Sequence, residues 1–320
     1  MKLVILSVAF LVVIIYFISN IFSPEADHQQ GSKMGSKPDS SWIPPSLFTD
    51  RQTSGEERKM IIYGEDLIAN TAYYFGPRGK VRQIANGMNC QNCHLDAGRR
   101  PWANNFATTF SNYPKFRGRS GTIEDIYKRI NDCFQRSMNG QALDSNSYEI
   151  QSMYAYIRWV GQGVIKNDNP AGAGTGKAAY ISRPADPVKG KAVYESICQT
   201  CHGTNGEGLP APNGVTYMYP PLWGPDSYND GAGLYRLGPF ANYIKHNMPF
   251  DRATHDNPVL TDEQAWDVAA FVNTQPRPHK DQGDDYKDLS KKPIDFPYGP
   301  YADSFSAYQH KFGPYLNMIK

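Results

Sequence analysis

Two short runs hold the residues best suited to chemistry, Cys90-Gln-Asn-Cys93-His94 and Cys198-Gln-Thr-Cys201-His202. Each is C-x-x-C-H. At this spacing both cysteines can form thioethers with the vinyl groups of one porphyrin, while the adjoining histidine reaches the iron from the same side. A redox dithiol does not need the trailing histidine, and no second Cys or His pair stands nearby to complete a zinc shell. Two copies therefore point to two covalently bound c-type haems. Cys90, Cys93, Cys198 and Cys201 would attach them, with His94 and His202 as proximal iron ligands.

Each iron needs a sixth partner unless its site is open. Of the five cysteines only Cys133 is not committed to attachment, and it lies in the stretch Arg129-Ile-Asn-Asp-Cys133-Phe-Gln-Arg136-Ser137-Met138. Cys133 and Met138 are both candidates for the first iron. A lone cysteine is usually an inert buried thiol. A free thiol in an oxidising compartment is a liability, however, and the basic residues around Cys133 would favour a thiolate. For the second iron, Ile244-Lys245-His246-Asn247-Met248-Pro249 supplies Met248, with Met218, His246 and Lys245 as other donors in range.

The elements that must position these residues repeat. Ser54-Gly-Glu-Glu57 is a capping-box pattern and predicts a helix to about Phe75, with Ile61, Ile68 and Ala72 on one face. Ile150, Met153, Tyr154, Ile157 and Val160 share the face of a second amphipathic helix that would cross the first and close a domain. Ala192, Val193 and Ile197 form a short apolar approach to Cys198. Thr261-Asp-Glu-Gln264 caps a further helix with Ala265, Val268, Ala269 and Val272 on one face, ended by Pro276. Helix, attachment motif, loop, helix thus occurs twice. The expected fold is mainly α, two class I cytochrome c-like domains in tandem, each wrapping one haem.

The two motifs begin 108 residues apart in a chain of 320, which suits two domains of ordinary size. Residues 51–166 form the first and 187–278 the second, joined by a linker at 167–186 rich in Gly, Ala and Pro. Residues 279–320, with many Tyr, Phe and Pro but no helical period, read as an irregular, extended strap. At the N-terminus, Lys2 precedes an apolar run from Leu3 to Ile18, so residues 1–22 read as a signal peptide or a membrane anchor. The lack of a small-x-small cleavage site favours the anchor, with a solvated tether over 23–50. Haem attachment and this segment place the chain in a periplasm-like compartment, anchored to the inner membrane by residues 3–22 if the run is retained. A net charge of +2 points to no nucleic-acid partner.

Between His94 and Gly140 stand eight basic residues, Arg99, Arg100, Lys115, Arg117, Arg119, Lys128, Arg129 and Arg136, against four acidic ones. This surplus predicts a cationic pocket for anions.

Three stretches together, Cys90-Gln-Asn-Cys93-His94-Leu-Asp-Ala-Gly98, Tyr113-Pro-Lys-Phe-Arg117-Gly-Arg119 and the Cys133 segment, resemble the catalytic domain of dihaem thiosulfate dehydrogenases, relatives of the SoxA-type cytochromes. The resemblance extends over about residues 55–320. It implies that Cys133 is the distal ligand of the first iron, opposite His94, and that Arg129 and Ser137 line the substrate pocket. Met138 is then a packing residue, and the strap wraps both domains. Relatives that exchange the ligands of the second iron carry a lysine before the methionine. Asn247 stands there instead, so permanent His202/Met248 ligation is expected.

The activity so implied is oxidative coupling of two thiosulfate ions to tetrathionate. Electrons would pass from the first haem to the second and on to a soluble c-type cytochrome or similar acceptor. Bringing two dianions to about 4 Å costs about 4 kcal/mol even in water, so fixed guanidinium groups are needed. Cys133 could also leave the iron and carry a covalent thiosulfonate. The alternatives are the reverse reaction, tetrathionate reduction, and a dihaem electron carrier with no substrate. A dihaem peroxidase would need a five-coordinate iron, against which Cys133 argues. His28, His255, His279 and His310 are expected in ordinary surface or packing roles.

Overall fold

The computed structural model describes residues 41–47, 50, 53 and 55–319. The apolar run at 3–18, the anchor or signal segment at 1–22, most of the tether and the predicted cap Ser54 lie outside these residues. No described helix is long and apolar enough to cross a membrane.

The first helix, α1 (Gly55–Ala69), buries Ile61, Leu67 and Ile68 as its periodicity predicts. It does not run unbroken to Phe75. A break at Asn70 separates it from a short α2 (Thr71–Phe75). The Thr71 hydroxyl donates to the carbonyl of Leu67 and accepts the Cys90 N–H at 3.0 Å, while Asn89 Oδ1 accepts the Ala72 N–H at 2.9 Å. Polar side chains at the helix break thus hold the first attachment turn.

A two-stranded hairpin, β1 (Lys115–Arg117) and β2 (Thr122–Glu124), pairs Lys115 with Glu124, Phe116 with Ile123 and Arg117 with Thr122. Asp125 caps the next helix, α3 (Ile126–Arg136), by accepting the Lys128 N–H. Helix α4 (Tyr148–Val160) is capped by Ser147 and turns Ile150, Met153, Ile157 and Val160 inward, together with Tyr156 and Trp159. Helices α1 and α4 cross where Gly64 meets Ser152. A Cβ on Gly64 would lie 2.1 Å from the Ser152 carbonyl oxygen.

The second half repeats the device. Helix α5 (Pro187–Val193) leads through a π-turn, Tyr194–Cys198, into the second attachment turn. Helix α6 (Leu237–Asn247) delivers Met248 just past its end. Helix α7 (Asp262–Thr274) begins with the predicted Thr261/Gln264 capping box, and Ala265, Val268, Ala269 and Val272 are buried. It crosses α5 at Gly190, where a Cβ would lie 1.9 Å from the Asp267 carbonyl oxygen. In both halves a glycine therefore lets the first and last helices approach backbone to backbone. Each half has its own apolar core.

The tail departs from the expectation of a strap without helix. Ser306 and Gln309 form a capping box that opens α8 (Ala307–Phe312), too short to register as a period. Tyr315 and Met318 then enter the second core. Upstream, the tail reaches the first half. Asp285 pairs with Arg136 at 2.7 Å and with Arg119 at 3.8 Å, and the Tyr286 N–H donates to the Arg119 carbonyl.

Candidate functional site: two pockets for covalent haems

One pocket in the first half is lined by Cys90, Cys93, His94, Arg129, Cys133, Ser137 and Met138, with Ile68, Met88, Phe106, Ile126, Ile130, Phe134, Met153 and Ile157 supplying apolar walls. A second is lined by Cys198, Cys201, His202, Met218 and Met248 among aromatic and aliphatic side chains. Their empty space, about 910 and 1450 Å³, includes solvent at each open mouth. Apolar walls around a cysteine pair and a histidine suit a porphyrin in each pocket.

The histidines are set for iron. Nδ1 of His94 lies 2.5 Å from the Asn104 carbonyl oxygen, and Nδ1 of His202 lies 2.9 Å from that of Pro220. Donation from Nδ1 fixes the tautomer and leaves Nε2 with its lone pair free to face the pocket. Burial lowers both pKa values, that of His94 to about 4, so each ring is neutral at physiological pH. Phe106 packs on the His94 ring at 4.6 Å between centroids. None of the five cysteines is in a disulfide. Donor type, tautomer and apolar lining all fit a c-type haem in each pocket.

Met248 lines the second pocket with His202. The rival donors do not compete equally: Lys245 donates to the Leu260 carbonyl at 2.7 Å, His246 is absent from the pocket lining, and Met218 is 52% exposed. Asn247 turns away and donates to the Trp102 and Tyr243 carbonyls.

In the first pocket, Nη1 of Arg129 lies 3.1 Å from Sγ of Cys133, one helical turn along α3. Cys133 is the leading cause holding the Arg129 pKa above its usual value, against the opposing effect of burial. The contact puts a guanidinium donor within hydrogen-bond distance of the sulfur. Ser137, at the end of α3, and Met138 line the same pocket, and Met138 also packs in a small buried cluster with Met88 and Tyr228.

The cationic surplus is largely spent elsewhere. Arg99 pairs with Glu65, Arg100 with Asp96, Lys128 with Asp132, and Arg119 and Arg136 with Asp285; Arg117 reaches Glu124 at 4.0 Å. Lys115 is exposed on the hairpin. Among the charged residues described, Arg129 alone lines the first pocket. The expected cationic pocket is thus corrected to one buried guanidinium beside the cysteine.

Asn104, Pro220 and Thr71 were not visible as site residues in the sequence. The first two act through backbone carbonyls, for which side-chain identity gives no signal. The two pockets share a wall: Met88, Asn89 and Cys93 line both, and Gln91, Asn92, Leu95 and Asp96 of the same segment line the second. Tyr243 of α6 is buried there and donates to the Asn92 carbonyl at 2.9 Å.

A SoxA/TsdA cytochrome c domain model matches residues 80–165, and a cytochrome c model matches residues 187–276. The chain is 37% identical over 220 residues to a thiosulfate dehydrogenase of Allochromatium vinosum, covering 67% of this chain and 79% of that protein. To one of Psychrobacter arcticus it is 35% identical over 254 residues, covering 79% and 72%. A solved thiosulfate dehydrogenase (TsdBA) from Marichromatium purpuratum, in its as-isolated form, superposes with a TM-score of 0.65 at 33% identity. That match covers 75% of this chain and spans half the length of the longer one. Two cytochrome c domains, two pockets each lined by an attachment motif and these relatives agree: the chain is a c-type cytochrome carrying two haems and belongs to the thiosulfate dehydrogenase family.

Proposed function

We propose that this chain joins two thiosulfate ions through a new S–S bond, giving tetrathionate and releasing two electrons. The observation that carries the reading is the Arg129–Cys133 contact inside the pocket that also holds His94. Cys90 and Cys93 would attach the first haem, with His94 and Cys133 as iron ligands. Cys198 and Cys201 would attach the second, with His202 and Met248. When bound, the haems supply the electron sink, thiolate ligation lowering the first potential and methionine raising the second.

The protein's own part is anion management. Arg129 offers fixed donors to a dianion in a pocket that otherwise lacks positive charge. Its attraction offsets part of the repulsion between two like-charged substrates. Ser137 adds a hydroxyl donor at the end of α3. Asn104 and Pro220 hold the two imidazoles so that Nε2 of each stays available. A c-type cytochrome or similar acceptor would take the electrons, in the periplasmic setting that haem attachment implies.

The test joins a thiosulfate–ferricyanide assay to electron paramagnetic resonance of the oxidised protein. Turnover with one low-spin thiolate-ligated haem and one His/Met haem is the expected result. Met248→Leu should remove only the methionine-type signal. Full turnover by Cys133→Met would refute the role given to the thiolate, and two His/Met-type haems without turnover would leave a simple electron carrier.

A further inference from the structure

The first pocket contains few groups able to hold the polar end of a thiosulfate. The sulfonate presents three oxygens, and a single guanidinium does not satisfy them all. A further donor would have to be buried near Arg129 with its hydrogen free. Besides the half-buried Ser137 hydroxyl in the lining, one fully buried hydroxyl outside the lining itself meets that description.

Tyr113 ends the single-turn helix Thr109–Asn112 and precedes β1. Thr109 lines the first pocket. The last ladder pair, Lys115 with Glu124, brings Tyr113 and Ile126 to the same end of the hairpin. Ile126 also lines the pocket and is the first residue of α3, one turn ahead of Arg129. Tyr113 thus sits between two lining elements, and its ring packs against the first core. The hydroxyl is shut off from solvent yet has no hydrogen-bond partner. Leaving such a group unsatisfied costs about 1–3 kcal/mol, so its position calls for a partner. Arg129 and Cys133 both act on it electrostatically. Burial holds the phenol above its usual range, so it keeps its proton at neutral pH and can donate.

We infer that Tyr113 is a substrate-binding residue whose hydroxyl, together with Arg129, receives the sulfonate oxygens of a thiosulfate-class dianion. The inference rests on the proposed function and adds a specificity-determining donor to it. The sulfonate keeps its charge while the terminal sulfur reacts, so a bond to its oxygens is as strong in the ground state as in the transition state. Losing such uniform binding raises KM and leaves kcat nearly unchanged.

The experiment uses the oxidised dihaem protein with Tyr113→Phe and, as a control on the pocket itself, Arg129→Gln. Sulfate, an unreactive tetrahedral dianion, is titrated calorimetrically, and KM and kcat for thiosulfate are measured in parallel. Tyr113→Phe should weaken sulfate binding and raise KM about tenfold, the loss of one hydrogen bond to a charged group, with kcat within about twofold. Haem absorption and melting temperature should be unchanged, because the ring remains. If Arg129→Gln weakens binding while Tyr113→Phe leaves both sulfate affinity and KM intact, the inference fails and the pocket stands. If neither variant alters binding or turnover, the pocket reading and the inference fall together. A loss confined to kcat would also overturn the binding role. Where sulfate binds too weakly to measure, the KM result decides.

Discussion

Asp285 offers the sharpest test of how the cationic segment is used. Its carboxylate comes from the tail, is 9% exposed, and accepts from Arg136 (13% exposed) at 2.7 Å, with Arg119 at 3.8 Å. Both guanidinium groups also donate to the Gly231 carbonyl, so they remain partly satisfied without it. Asp285→Asn keeps an acceptor near Arg136 but removes the charge. A hydrogen bond to a charged group is worth about 1.5–3 kcal/mol, and truncating one partner of a buried pair costs about 3–5. The retained amide oxygen and the Gly231 carbonyl place the expected loss at about 2–3 kcal/mol. For a chain of 320 residues, at about 1.5 °C per kcal/mol, the melting temperature should fall by about 3–5 °C. Circular dichroism in the far ultraviolet and in the haem band follows it on the holoprotein. Arg136→Gln in the same background should add little further loss, since the two side chains share one interaction. Thiosulfate kcat/KM of the folded fraction should stay within about threefold. An unchanged melting temperature would refute the pairing. A large loss of activity with both haems intact would show that these arginines serve the substrate rather than the tail.

Two further outcomes follow from the same physics. Gly190→Ala places a Cβ 1.9 Å from the Asp267 carbonyl oxygen, and Gly64→Ala one 2.1 Å from that of Ser152. Each should cost about 1–3 kcal/mol or more in overpacking, read as a lowered melting temperature and lower yield of holoprotein. The Asp230 carboxylate, 2.7 Å from Nδ1 of His279, raises the histidine pKa by hydrogen bonding and charge. A raised folded pKa gives stabilisation that is complete below the unfolded value of about 6.5 and is lost as pH rises through the folded one. His279→Gln should therefore lower the melting temperature slightly near pH 5.5, with the difference from the parent shrinking towards zero near pH 8.5. The reverse trend would show that the pair does not form.

The residues that chemistry fixes by spacing were legible in the sequence. Cys90, Cys93 and His94 line one pocket and Cys198, Cys201 and His202 the other, as C-x-x-C-H requires. The helix faces of α4 and α7 and the Thr261 capping box also emerge where periodicity and capping place them. The charge tally misled because it counted cations without their partners. Glu65 and Asp285 lie 34 and 149 residues away from the arginines they neutralise, Arg99 and Arg136. Gly64 and Gly190 weaken a helix by propensity alone, so their use at a crossing shows only when the second helix is in place. The break at Asn70 likewise depends on contacts to residues 89 and 90. Tyr113 belongs to a stretch that the resemblance marks, but its enclosed hydroxyl becomes visible only once the chain is folded.

The wall common to both pockets constrains how such a molecule can be taken apart. Separating the two halves would strip the second cofactor's cavity of the side from Met88 to Asp96 and leave the Tyr243 hydroxyl without its acceptor. The second half taken alone would present its cofactor to solvent along that side.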